Sequence, residues 1–138
     1  MPACRAAAGL AAVAALVAGC GGTSSAAPDL SAACTRARAT LPQLPAAPDL
    51  DDATRALRRV LGAEQRALAD LRAGGLANDP LATRLRAAIV STRRSLVSIE
   101  AADPQRTMAP IRTGVPNARR AAASAEALVT DLCRRARA

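Results

Sequence analysis

The side chains best suited to covalent chemistry are the cysteines at positions 4, 20, 34 and 133. A thiol can carry a lipid, close a disulfide or bind a soft metal, and its neighbours decide which. Histidine, lysine and every aromatic residue are absent. Ser-His-Asp and Cys-His nucleophiles are therefore excluded, and so is a Ser-Lys pair. Glu64, Glu100 and Glu126 have no partner histidine three residues on, so a ferritin-like di-metal site cannot form. Gly74-Gly75 lacks the Lys-Ser/Thr that completes a phosphate loop. Nothing singles out a carboxylate pair for acid–base work. The expectation is a protein with no catalytic residue, no metal and no cofactor: not an enzyme.

Cys20 stands at the end of the one strongly apolar run. Arg5 supplies a positive charge, and residues 6–19 are all small or apolar. A positive start, a short apolar core and small residues at its end make a secretory signal. As a helix the run would reach roughly 20 Å, against a hydrocarbon core of roughly 30 Å, so it is too short for a permanent span. Val17, Ala18 and Gly19 lead directly into Cys20. That order resembles the lipobox of bacterial lipoproteins. The resemblance implies diacylglycerol transfer to the Cys20 thiol and cleavage after Gly19, which anchors the mature chain on the extracytoplasmic face of the membrane. The alternative is ordinary cleavage after Ala27, where Ser25-Ala26-Ala27 offers small residues and Cys20 is discarded.

These boundaries divide the chain into a signal peptide (1–19), a lipidated cysteine with its tether (20–28) and one domain (29–138). GGTSSAAP, residues 21–28, is a flexible polar tether that keeps the domain within roughly 15 Å of the bilayer. The full chain carries a net charge of +8, and loss of Arg5 with the signal lowers this by one. All of its basicity is arginine, scattered over every helical segment. With no aromatic side chain to stack on a base, and with the chain exported, nucleic acid is not an expected partner. An anionic envelope surface or polymer is, because scattered arginines near acidic headgroups are attracted to them.

The domain reads as all-α. Alanine is abundant and no stretch sustains β-branched alternation. A short first helix begins at Asp29 or Ser31 and runs to about Thr40, with Leu30, Ala33, Ala37 and Leu41 on one face. Prolines 42, 45 and 48 make the next stretch an extended connector, with Leu41 and Leu44 held against the bundle. Asp49 caps a second helix whose apolar stripe runs Leu50, Ala53, Leu57, Val60/Leu61, Leu68 and Leu71, ending at Gly74-Gly75. Asp79-Pro80 opens a third, with Leu81, Leu85, Ala88/Ile89, Leu96 and Ile99 inward, stopping near Ala102. Asp103-Pro104 opens a fourth. Its seven-residue spacing (Met108, Ile111, Val115, Ala118, Ala122, Ala125, Val129, Leu132) continues through Pro110, Gly114 and Pro116, which predicts one long kinked helix rather than a break at Gly114.

Cys34 falls on the first helix and Cys133 on the last. Export takes the chain to an oxidising compartment, and two remaining thiols allow only one connectivity. The alternative is two free buried thiols. In an up-down bundle the first and last helices bring their outer ends to one pole only when the helix count is even, so the pair favours four helices over three. The tether leaves from that same pole, which places the disulfide towards the membrane. The expected architecture is an up-down four-helix bundle behind a cleaved signal peptide. Lipobox, Cys34, the Leu41–Pro48 connector, the Ala- and Arg-rich bundle and Cys133 together resemble a group of small actinobacterial lipoproteins. That resemblance implies no activity.

One polar constellation falls on the inward stripes. Counting back from the turns places Glu64 and Thr92 within about one helical turn of each other, with Thr113 near the same level. Pro110 and Pro116 also leave the carbonyls of Arg106 and Arg112 without helical donors. A pocket built from Glu64, Thr92, Met108, Arg112 and Thr113 is one reading. The other, which buried glutamates favour, pairs Glu64 with an arginine from a neighbouring helix. Two functions follow. The leading one is a non-catalytic, membrane-anchored envelope module that binds a protein partner or an anionic envelope component. The alternative is a carrier for a small apolar or amphipathic ligand held between helices near Met108 to Val115.

Overall fold

A computed structural model describes residues 29–101 and 109–138. The expected signal peptide, Cys20 and the expected tether lie outside the described residues, as does the opening expected for the last helix at Asp103-Pro104. Four helices follow in order: α1 (Leu30–Thr40), α2 (Leu50–Ala73), α3 (Pro80–Glu100) and α4 (Ala109–Arg135). The chain is all-α and forms a four-helix bundle. α2, α3 and α4 pack against one another, and α1 lies on α2 and α4 without reaching α3.

α1, α2 and α3 each start from an aspartate cap. Asp29 accepts from the Ser31 amide at 2.9 Å and Asp79 from the Leu81 amide at 2.7 Å, with Pro80 at the first position of α3. Asp49 and Asp52 form a reciprocal capping box at the start of α2, amide to carboxylate at 2.7 and 3.2 Å. These carboxylates satisfy donors that a helix leaves open at its first turn. The end of α2 is a Schellman turn: Leu76 N–H reaches the Leu71 carbonyl at 2.8 Å, and Gly75 N–H that of Arg72 at 3.0 Å. Gly75 sits at φ 73°, and Leu76 packs back onto the core. A Cβ on Gly75 would meet nothing within 4 Å, so Gly75→Ala should cost only left-handed backbone strain. We expect a loss of about 1–2 kcal/mol, measured by urea unfolding followed through helical circular dichroism. An unchanged midpoint would refute the turn.

The core falls into two clusters. One gathers Ala33 and Ala37 of α1, Ala67, Leu68 and Leu71 of α2, Leu81, Ala82 and Leu85 of α3, and Leu128, Val129, Leu132 and Cys133 of α4. The other, towards the opposite end, holds Ala53, Leu57, Ile99 and Ala118, with Leu44, Leu50, Leu96 and Val115 against it. The connector spans both: Leu41 rests on the first cluster and Leu44 on the second. With alanine at so many contacts the helix backbones approach closely. Gly114 is the tightest case, for a Cβ there would lie 2.8 Å from Leu50 Cδ1 and 3.2 Å from Ile99 Cδ1.

α4 is continuous through Pro116, so Gly114 is not a break. Pro116 carries no N–H, which leaves the Arg112 carbonyl without its helical donor. Pro110 falls in the first turn, where its missing donor costs nothing. Arginine pairs bind the helices at their ends. Arg36 meets Asp70 at 3.3 Å and Arg58 meets Glu100 at 2.7 Å. Arg84 reaches Asp131 at 2.6 Å, and Arg135 pairs with Asp79. Asp131 also takes Arg134, at 3.3 Å, as its position one turn earlier predicts. Exposed pairs of this kind each contribute at most about 1 kcal/mol, so the helices are held chiefly by their buried faces.

Candidate functional site

Cys34 and Cys133 lie at disulfide distance, with Sγ atoms 1.95 Å and Cα atoms 5.0 Å apart. They join α1 to the last turn of α4 across a sequence separation of 99. Cys133 is fully buried and Cys34 half-buried, both within the first apolar cluster. The outer ends of the first and last helices therefore share one pole, as the even helix count requires.

Between the two clusters the interior turns polar. Glu64 and Thr92 are the buried polar residues of the described chain, at 2 % and 3 % exposure. Thr92 Oγ1 donates to Glu64 Oε1 at 3.3 Å, and Glu64 Oε2 has no hydrogen-bond partner. The expected arginine partner is not there. Arg36, Arg135, Arg58 and Arg84 pair instead with Asp70, Asp79, Glu100 and Asp131, near the helix ends. Among the described residues no arginine bonds to Glu64. Burial pushes the Glu64 carboxyl up to about 7, and the Thr92 hydroxyl offsets this only in part.

A cavity of about 350 Å³ opens beside this pair. Glu64 lies at its α2 wall; Ser91, Thr92 and Ser95 line it from α3, and Asn117, Arg120 and Ser124 from α4. The gap exists because Ala88, Ala121 and the serines are too short to fill the space between two helices. Arg120 Nη2 donates to Asn117 Oδ1 at 2.6 Å, which holds the guanidinium along α4.

The structure brings together Glu64 and Thr92 but not the rest of the predicted pocket. Arg112 and Thr113 are exposed and do not line the cavity, and Met108 lies outside the described residues. The α4 wall is built instead from Asn117 to Ser124, about two turns further along. Counting levels from the turns assumes a short link before α4, and the register of α4 against α3 differs from that count. The signal that would have located the wall is the row of short polar side chains at helical spacing: Ser91 and Ser95 facing Asn117 and Ser124. The lining is mixed, Ala88 and Ala121 among hydroxyls, an amide and two charged groups, and it is not built from Arg112 to Val115, where an apolar or amphipathic ligand was anticipated. Among the described residues, no group of three or more His, Cys, Asp or Glu side chains converges as metal ligands would. No described helix is long and apolar enough to cross a membrane. Comparison of the chain with profiles of protein families, with curated proteins and with solved structures gave no match.

Proposed function

We propose that this protein is a membrane-anchored envelope lipoprotein whose helical bundle acts as a non-catalytic interaction module. The observation that carries the reading is the convergence at one pole. Asp29, the first domain residue after the tether, sits on the helix that Cys34 ties to Cys133. A bundle hung from a lipid on Cys20 is thus clasped at the end from which it hangs. Two acyl chains give stable anchoring where one binds only marginally. Arg134 and Arg137 are exposed beside the disulfide, where anionic headgroups would attract them by about 1 kcal/mol each. The layout also resembles that of small actinobacterial lipoproteins.

The outer face of α3 is the surface we assign to a protein partner. Val90 and Val97 are 58 % and 57 % exposed and stand two turns apart, with Arg93 and Arg94 between them. Apolar anchors set among cations suit an acidic, amphipathic partner surface.

The test is partitioning with intact mass. The chain expressed in a lipoprotein-processing host should enter the detergent phase with a mass that begins at acylated Cys20, and Cys20→Ser should move to the aqueous phase. Recovery of the wild-type chain from the aqueous phase with residues 1–19 attached would overturn the anchor. Photo-crosslinkers at Val90 and Val97 in intact cells should give one discrete protein adduct, and no adduct at either would overturn the partner face.

A further inference from the structure

We infer that the cavity between α2, α3 and α4 is a binding site for a small zwitterion, which places a primary ammonium on Glu64 and an anionic group on Arg120. The inference does not depend on the lipid anchor or on the partner face.

Glu64 carries the first half. Its side chain is buried, borders the cavity, and keeps one carboxylate oxygen without a donor. A carboxylate removed from water in this way is destabilising unless something donates to it. Among the described residues no charged group does so: α3 presents only Ser91, Thr92 and Ser95, and the one charged side chain from α4, Arg120, is bonded to Asn117. Where the carboxyl is ionised, a guest in the cavity can supply the missing donor.

Arg120 carries the second half. It makes no ion pair among the described residues, and its hydrogen-bond partner is a neutral amide oxygen. Its charge is therefore free to meet a carboxylate, sulfonate or phosphate at the α4 side of the cavity. Above the point at which Glu64 ionises, the two opposite charges on the walls disfavour simpler guests. A lone anion would meet Glu64, and a lone cation would meet Arg120 as well as the field of a chain with a net charge of +8. A guest with both charges satisfies both walls.

The lining also narrows the cationic end. A quaternary ammonium is ordinarily bound by aromatic faces, and this chain has no aromatic residue. A primary ammonium instead donates three hydrogen bonds, and Glu64 Oε2 and the hydroxyls of Ser91, Ser95 and Ser124 are acceptors for them. The cavity, at about 350 Å³, lies at the small end of ligand pockets, which suits a compact ω-amino acid.

The experiment titrates the full chain, labelled with ¹⁵N in detergent micelles, with glycine, β-alanine and 4-aminobutyrate. Acetate, propionate and butyrate serve as controls without the ammonium, and ethylamine, propylamine and butylamine as controls without the acid. At least one zwitterion should shift the amides of Ser91, Ser95, Asn117 and Ser124 saturably and bind more than about tenfold tighter than its matched acid and amine. Glu64→Gln and Arg120→Ala should each weaken that binding about tenfold or more. A calorimetric titration of the wild type near pH 6.5 should also release a proton as the ammonium ionises Glu64, seen as heats that vary with the buffer. This readout stands if a variant fails to fold. No saturable response to any zwitterion, equal responses to zwitterion and controls, or binding unchanged in both variants would overturn the site.

Discussion

Replacing Cys34 and Cys133 by alanine, or reducing them, should lower the unfolding free energy by about 3–4 kcal/mol and the melting temperature by roughly 15–25 °C. The effect is large because the bridge spans a separation of 99 residues, nearly the whole domain. Closing so long a loop in the unfolded chain removes up to about 4.7 kcal/mol of entropy on the chain-entropy argument. The core it supports is light: its largest fully buried side chains are leucine, valine and cysteine. α1 is the element most exposed to the loss, since it is only 11 residues long and rests on two neighbours. Circular dichroism melts with and without reductant measure the effect. An unchanged midpoint, or two reactive thiols in the denatured, unreduced protein, would show that the pair does not hold the bundle.

Glu64 should make this protein lose stability as neutrality is approached from the acid side. Its carboxyl stands at about 7 in the folded chain against an ordinary 4.5. A group with its folded value raised binds its proton more tightly in the folded state. Its contribution is complete below pH 4.5 and is lost as pH rises through 7. The whole swing amounts to about 3 kcal/mol. Asp52 and Asp131 act in the opposite direction. Hydrogen bonds hold both below 3.8, from the Asp49 amide and Arg55 to Asp52, and from Arg84 to Asp131. Their contribution is present above 3.8 and lost as pH falls further. Urea midpoints should therefore fall between pH 4.5 and 7 in the wild type and stay level in Glu64→Gln. Glu64→Leu should be more stable than the wild type at pH 7.5, because no carboxylate is then left buried without a donor and Thr92 can turn to the Ala88 carbonyl of its own helix. A wild-type profile that stays flat over this window would show that Glu64 is solvated.

Most of the architecture was legible before any coordinates, and for local reasons. Asp49, Asp79-Pro80 and Gly74-Gly75 are side chains or backbones that satisfy or end a helix by themselves, so three boundaries could be read directly. The apolar stripes of α2, α3 and the later part of α4 repeat often enough to survive small errors of phase. Cys34 and Cys133 added a long-range fact, because one bridge restricts how many times the chain can reverse. The candidate site was legible only in part. Glu64 and Thr92 could be placed inward from their own helices, and they meet. What they face on α4 depends on the link before that helix, and no motif encodes its length in space. The reading that paired Glu64 with arginine failed for a physical reason: a long guanidinium gains more from carboxylates at the bundle surface, where water still solvates it, than from entering an interior of alanine and leucine.

The polar layer at Glu64 and Thr92 also divides the bundle mechanically. Below it lie the bridge, α1 and the larger apolar cluster; above it lie Gly114, Pro116 and a smaller cluster with no covalent tie. With the bridge on one side of this seam only, local opening should start on the other, and amides of the half without the bridge should exchange faster. If the bundle hangs by its clasped end, as proposed, the half without the bridge is the outermost part, and the surface farthest from the bilayer is then also the one freest to reshape to whatever meets it.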